Sequence, residues 1–191
     1  MPPRTRITRD MVVDAALQVV RTSGAEKLNA RSVAAALNCS TQPVMYHFST
    51  IAELRQAVRA RADRFHTEFL LRIPPGGDPL PEIGLNYIRF AVQEPHLFRF
   101  LLHAGQKATL REMIDDPALV PVLEAMGREA ELTMEETKEV FLTVAVFTHG
   151  YACLAAYSGL EFDEKTAAAH LEQAFLGAVL AAEAKKGGST P

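Results

Sequence analysis

An all-α protein in two parts is predicted by three observations. Apolar residues recur at i, i+3 and i+4 through nearly every long segment, the period of a helix with one buried face. Residues 29–54, NARSVAAALNCSTQPVMYHFSTIAEL, read as two short helices joined by a tight turn and followed by the start of a longer helix. Residues 73–81, IPPGGDPLP, hold four prolines and two glycines. No helix continues through such a run, so the domain junction falls there.

The first helix begins at Thr8 or Arg9, and Val12, Ala15, Ala16, Val19 and Val20 make its apolar face. Gly24 ends it. Asn29 is placed to cap the second helix through its side-chain oxygen, and Val33, Ala34 and Leu37 face inward. Asn38 tolerates the left-handed conformation that closes a helix, so Asn38-Cys39 forms the turn. Ser40 caps the next helix. There Val44 and Phe48 fall on one face and Thr41, Gln42, Met45 and Tyr46 on the other, the layout of a recognition helix. Pro43 removes no hydrogen bond, because first-turn amides have no internal acceptor. It biases Gln42 away from helical angles, leaving the helix start open between Thr41 and Pro43.

A long helix follows from Ile51 to about Arg72. Beyond the junction, Ile83, Tyr87, Phe90 and Ala91 form one stripe, residues 96–103 a short apolar helix, and residues from Met113 to Glu131 another. Residues 135–157 make the longest helix and residues 161–185 the last. Residues 140–157 are almost continuously apolar, at the length threshold for a membrane span. His149 near the middle and the acidic, amphipathic lead-in TMEETKE argue instead for a soluble helix buried on two sides. No signal peptide is visible, and two cysteines 114 positions apart suggest no disulfide framework, which points to the cytoplasm. Cys39 is read as a small turn residue.

Net charge is −3 over 191 residues, but it is segregated. Residues 1–72 hold 11 Lys and Arg against 6 Asp and Glu, a net +5, and residues 73–191 hold 9 against 17, a net −8. A basic part attracts phosphates while an acidic part is repelled. Arg4 and Arg6 form a short basic arm of the kind that lies on a DNA backbone or in a minor groove.

The chain resembles the tetracycline-repressor (TetR) family of bacterial transcription regulators. VVDAALQVVRTSG is similar to that family's first helix, and LNARSVAAALNCSTQPVMYHFSTIAEL to its helix-turn-helix and the start of its fourth helix. GLNYIRFAVQEPHLFRFLL and the FTHGYACL of residues 147–154 are similar to its ligand domains, the latter to a His-Gly subgroup. The resemblance implies a homodimer on double-stranded operator DNA, with a helix-turn-helix domain over residues 1–50, a connecting helix over 51–72, and a ligand-binding and dimerisation domain over 82–185. Repression relieved by a small molecule is expected, with no cofactor and no metal, and the aromatic residues of the second part suggest that the molecule is mostly apolar. The DNA-contacting set becomes Arg4, Arg6, Arg31, Ser40, Thr41, Gln42, Pro43, Met45, Tyr46, His47 and Thr50. Met45 stands where the family has a tyrosine, and Ile51 where it has a lysine. Whether Tyr46 and Thr50 replace those two phosphate contacts stays open.

Tyr87, Phe90, Phe98, Phe141, Phe147, His149 and Tyr151 are the candidate walls of a ligand pocket; aromatic residues at helical spacing also serve as plain core. Leu154, Tyr157, Leu171, Ala174, Phe175, Ala178 and Val179 are the candidate dimer interface. An enzyme is disfavoured, since the six histidines show no HExxH or CxxC spacing. A DNA-binding protein of this fold without a small-molecule input is the remaining alternative.

Overall fold

The computed structural model describes residues 7–102, 114–115, 117–158 and 161–187. Among these the chain forms α1 (Arg9–Ser23), α2 (Ala30–Ala36), α3 (Thr41–His47), α4 (Ile51–Leu70), α5 (Pro79–Gln93), α6 (Pro95–Leu102), α7 (Val120–Glu129), α8 (Met134–Ser158) and α9 (Glu164–Gly187). Short 3-10 turns lie at Ala25–Lys27 and Pro117–Leu119. The described residues contain no strand, so the all-α expectation holds. Arg4 and Arg6 lie outside the described residues.

Two compact units form. The first gathers Met1–Phe69 with Gln93–Gly105, and the second Leu70–Val92 with Gln106–Pro191. In the first, α1 packs on α2, α3 and α6. Val12, Ala16 and Val20 of α1 are wholly buried, as are Val33, Val44, Leu54 and Val58. Local chemistry sets the ends. The Thr8 hydroxyl accepts from the Met11 amide at 3.2 Å to start α1. Gly24, at φ 88°, ends it in a conformation that disfavours a side chain.

Asn29 Oδ1 accepts from the amides of Arg31 and Ser32, both at 3.0 Å. Ser32 Oγ in return accepts from the Asn29 amide at 3.2 Å, a capping box. At the other end of α2, Asn38 sits at φ 51°. Its amide donates to the Ala35 carbonyl and that of Cys39 to the Ala34 carbonyl, the paired bonds of a Schellman closure. α2 is therefore fixed by hydrogen bonds at both ends. Asn29→Ala should cost about 1 kcal/mol, read as a shift of the urea midpoint; an unchanged midpoint would deny the cap its role.

α6 is held to the first unit by Arg21, whose guanidinium grips the Glu94 carboxylate through two hydrogen bonds, Nε at 2.9 Å and Nη2 closer still. Arg59 donates to the Leu101 carbonyl at 2.9 Å.

In the second unit α8 packs along α9, and α7 against α8. Met126, Val140 and Ala182 are buried together, with Leu80, Phe141, Val144, Phe175, Ala178 and Val179 packed on them. Gly127 permits the close approach of α7: a Cβ there would lie 2.8 Å from Thr137 Oγ1, on a residue that is itself wholly buried. Arg89 joins α5 to α9, bonding Glu82 at 2.9 Å, Asn86 at 2.8 Å and Glu164 at 2.6 and 3.0 Å. The buried Asn86 amide in turn donates to the carbonyls of Leu70 and Arg72.

The Arg89 hydrogen bonds hold the Glu164 carboxyl below its usual range. A depressed carboxylate adds stability above its unfolded pKa and loses it as pH falls through the folded value. Melting temperatures should therefore fall less steeply on acidification in Glu164→Gln than in the parent. Parallel curves would leave this ion pair without a part in acid stability.

The differences from expectation are at element ends. α4 stops at Leu70 rather than near Arg72, and α5 starts at Pro79 rather than after Pro81, because proline is accommodated in a first turn. α3 begins at Thr41, which settles the start left open by Pro43.

Candidate functional site

The helix-turn-helix presents one polar face. Val44 is wholly buried and Phe48 is 1% exposed, so the inward side of α3 is consumed by the core. Thr41, Gln42, Met45 and Tyr46 are exposed, Tyr46 at 78%. Ser40 precedes the helix in extended conformation, without a side-chain capping bond. Pro43 is half-buried at the third helical position, where no amide acceptor is lost. Arg31, exposed in the first turn of α2, belongs to the same motif.

Two side chains in this region have structural work that sequence patterns did not show. His47 Nε2 donates to the Ile7 carbonyl at 2.9 Å, pinning the residue ahead of the Thr8 cap to the last turn of α3. Its ring also meets Tyr46 edge-on at 5.1 Å. Thr50 Oγ1 accepts from the Glu53 amide at 3.1 Å while Glu53 accepts from the Ser49 amide at 3.0 Å, a cap on α4 that leaves the hydroxyl proton free to donate outward. Arg9 lies over the Phe48 ring, 4.6 Å from its centroid.

In the second unit the expected ligand residues separate. Phe90 is wholly buried, and Phe141 packs against the Met126–Val140 cluster. Phe98 is buried in the first unit, on α6. Phe147 is 37% exposed and lies 6.4 Å from Tyr151. Tyr87 and His149 do meet, with 2.8 Å between the hydroxyl and Nδ1. His149 Nε2 lies 3.5 Å from Cys153 Sγ, one turn along α8. Burial, and secondarily Cys153, pushes the Tyr87 hydroxyl far above its usual pKa, so it stays a neutral hydrogen-bonding group. Gly150 has open space beside it, so it marks no close approach within the chain.

The apolar cavity of this unit lies elsewhere. It measures 430 Å³ and is lined from α5, α7, α8 and α9, by Leu80, Gly84, Leu85, Met126, Val144, Leu171 and Phe175 among others. None of the seven expected ligand residues lines it. Gly84, a small residue in an amphipathic helix, is the one sequence signal that points to it.

The candidate interface residues also divide. Leu171 is 5% exposed, and Phe175, Ala178 and Val179 pack into the chain's own core. Ala174 is half-buried. Leu154 and Tyr157 face outward at 54% and 51%, with Val146 at 53%, Leu176 at 51% and Leu180 at 64%. These form one stripe on each of α8 and α9, at helical spacing. α8 is long and apolar enough to cross a membrane by length and composition, and only 22% of its apolar window is buried in the chain. Among the described residues, no three His, Cys, Asp or Glu are grouped to hold a metal ion.

No protein-family model matches the chain, and no curated protein matches it. Solved structures do. A TetR-like transcriptional regulator from Rhodococcus sp. RHA1 superposes with a TM-score of 0.62 at 18% identity, over 92% of this chain and 97% of that one. A TetR-family member from Streptomyces coelicolor A3 gives 0.55 at 20% identity, over 90% and 98%. The multidrug binding protein EbrR, solved with imidazole, gives 0.53 at 19%, over 91% and 97%. At such identities it is the architecture that is shared: the chain has the all-helical fold of TetR-type regulators, along nearly the whole length of each.

Proposed function

We propose that the chain is a homodimeric, DNA-binding transcription regulator, a repressor released from a pseudo-palindromic operator by a small, mostly apolar molecule. The observation that carries this is the division of α3. Val44 and Phe48 are spent on the core, while Thr41, Gln42, Met45 and Tyr46 are held outward on a short helix. A helix so placed fits a major groove. Arg31 and Tyr46 supply phosphate contacts, and the Thr50 hydroxyl donates one in place of the lysine absent at Ile51. The His47 bond holds Ile7 beside α3.

The outward stripes on α8 and α9 support the homodimer. An apolar surface of this extent needs a partner, and a two-fold pair of recognition helices reads two half-sites. Gly150 and Gly177, both open-sided within the chain, let two such helices approach closely. Non-enzymatic function and a cytoplasmic setting follow from this reading. The cavity supports a ligand response. Bound ligand changes operator affinity only by its preference between two states, typically about 5- to 150-fold, and operator DNA weakens the ligand by the same factor.

Gln42 is expected to read a base pair through its amide, with about 1–3 kcal/mol of discrimination. In gel-shift titrations Gln42→Ala should relax sequence preference, whereas Arg31→Ala should weaken all sequences alike and flatten the salt dependence. Unchanged affinity and selectivity in Gln42→Ala would remove the base-reading role.

A further inference from the structure

α8 carries a thiol beside a base. Cys153 Sγ lies 3.5 Å from His149 Nε2, one turn away on the same helix, and His149 Nδ1 lies 2.8 Å from the Tyr87 hydroxyl of α5. A neutral imidazole carries one ring proton. When that proton is on Nδ1, it donates to the Tyr87 oxygen and leaves Nε2 to accept from the Cys153 thiol. A nucleophile, a base and a third group that orients the base thus stand in line. His149 is exposed and Cys153 half-buried, so the thiol can be reached from solvent. Gly150, three residues before Cys153, has nothing within 4 Å of where a Cβ would stand, which leaves room on that face of the helix. Residues 140–157 contain no Asp, Glu, Lys or Arg.

We propose that Cys153 is a site of covalent addition for small, uncharged α,β-unsaturated carbonyl compounds, with His149 taking the thiol proton and Tyr87 positioning His149. The sulfur bonds to the β-carbon, its proton passes to Nε2, and the π pair of the C=C bond becomes an enolate. The imidazolium then returns the proton to the α-carbon. A thioether has formed, S–H and C=C are consumed, and neither oxidant nor leaving group is required. This class fits better than peroxides or disulfides, which react with thiolates. Burial pushes the Cys153 thiol up and keeps its proton in place until the base removes it. The uncharged surroundings favour a neutral reagent. The site is separate from the apolar cavity, whose lining does not include Cys153, His149 or Tyr87, and it stands whether or not the chain binds DNA.

N-ethylmaleimide is the probe. Cys39 is the internal reference, since it too is a partly buried free thiol but its Sγ donates instead to the Ser40 carbonyl at 3.2 Å. Timed reaction of the whole protein at neutral pH, read by mass spectrometry of its peptides, should label Cys153 at least about tenfold faster than Cys39, a fraction of the roughly 10²–10⁴ that an optimised general base supplies. His149→Gln should remove that advantage. It should also change the pH profile: just above neutral pH the parent rate at Cys153 stays nearly level, whereas in the variant it climbs about tenfold per pH unit with the thiolate fraction. Tyr87→Phe, which keeps the ring and loses the hydroxyl, should slow Cys153 several-fold, move its profile toward that of His149→Gln and leave Cys39 unchanged, with circular dichroism confirming the helices. An unchanged profile in Tyr87→Phe would remove the positioning role of Tyr87. Cys153 no faster than Cys39 in the parent, or a Cys153 rate and profile unchanged in His149→Gln, would overturn the assignment.

Discussion

Leu180→Arg is expected to give a folded monomer whose affinity for full operator DNA is lower by about 10²–10⁴-fold, the loss that accompanies removal of the second of two linked contacts. Leu180 is 64% exposed on α9, so an arginine there stays in water in the single chain. In the proposed two-fold interface the same arginine would be buried as an unpaired charge. Ala178→Arg is a poorer probe, because Ala178 packs against the chain's own core and its substitution would disturb folding as well as association. Light scattering at micromolar concentration, with circular dichroism to confirm helicity, checks the prediction. A folded Leu180→Arg dimer would move the interface off this face.

Phe48→Ala is expected to destabilise the first unit by about 3–5 kcal/mol, the usual cost of emptying an aromatic core position. Phe48 is 1% exposed and ends the recognition helix, with the Arg9 guanidinium over its ring. Its loss removes the anchor that directs the outward residues of α3. Urea unfolding followed by circular dichroism should show an early transition for this unit, and DNA binding should fall with it. A shift below about 1 kcal/mol would show that α3 is held by other contacts.

What the chain's order of residues reveals depends on the range of the interaction. Caps and turns are local, so Asn29, Asn38 and the break at residues 73–81 are legible from residue types alone. The burial of Val44 and Phe48 follows from helical spacing, because only one face of a short helix can be covered. The division of the aromatic residues is not legible in that way. Phe90, Phe98 and Phe141 share the apolar periodicity of cavity walls and of plain core, and only the packing of distant helices separates the two. The same limit applies to α9: Leu171, Phe175, Ala178 and Val179 carry the inward stripe, and Leu176 and Leu180, offset by a fraction of a turn, carry the outward one. Its richness in alanine blurs the hydrophobic contrast that would mark which side is which. The roles of His47 toward Ile7 and of Arg89 toward Glu164 join residues 40 and 75 positions apart, and no local pattern announces them.

The central claim, that α3 reads DNA as one of a two-fold pair, is tested most directly by selecting binding sites from a random double-stranded library with the whole protein. The expected result is a pseudo-palindromic motif with half-site centres about 10 base pairs apart or a multiple of it. Binding to it should weaken steeply with salt as phosphate counterions are released, and the same selection with Gln42→Ala should give degeneracy at one position in each half-site. Recovery of no motif above non-specific binding, or of the same motif at the same strength from Gln42→Ala, Thr41→Ala and Tyr46→Ala alike, would contradict it.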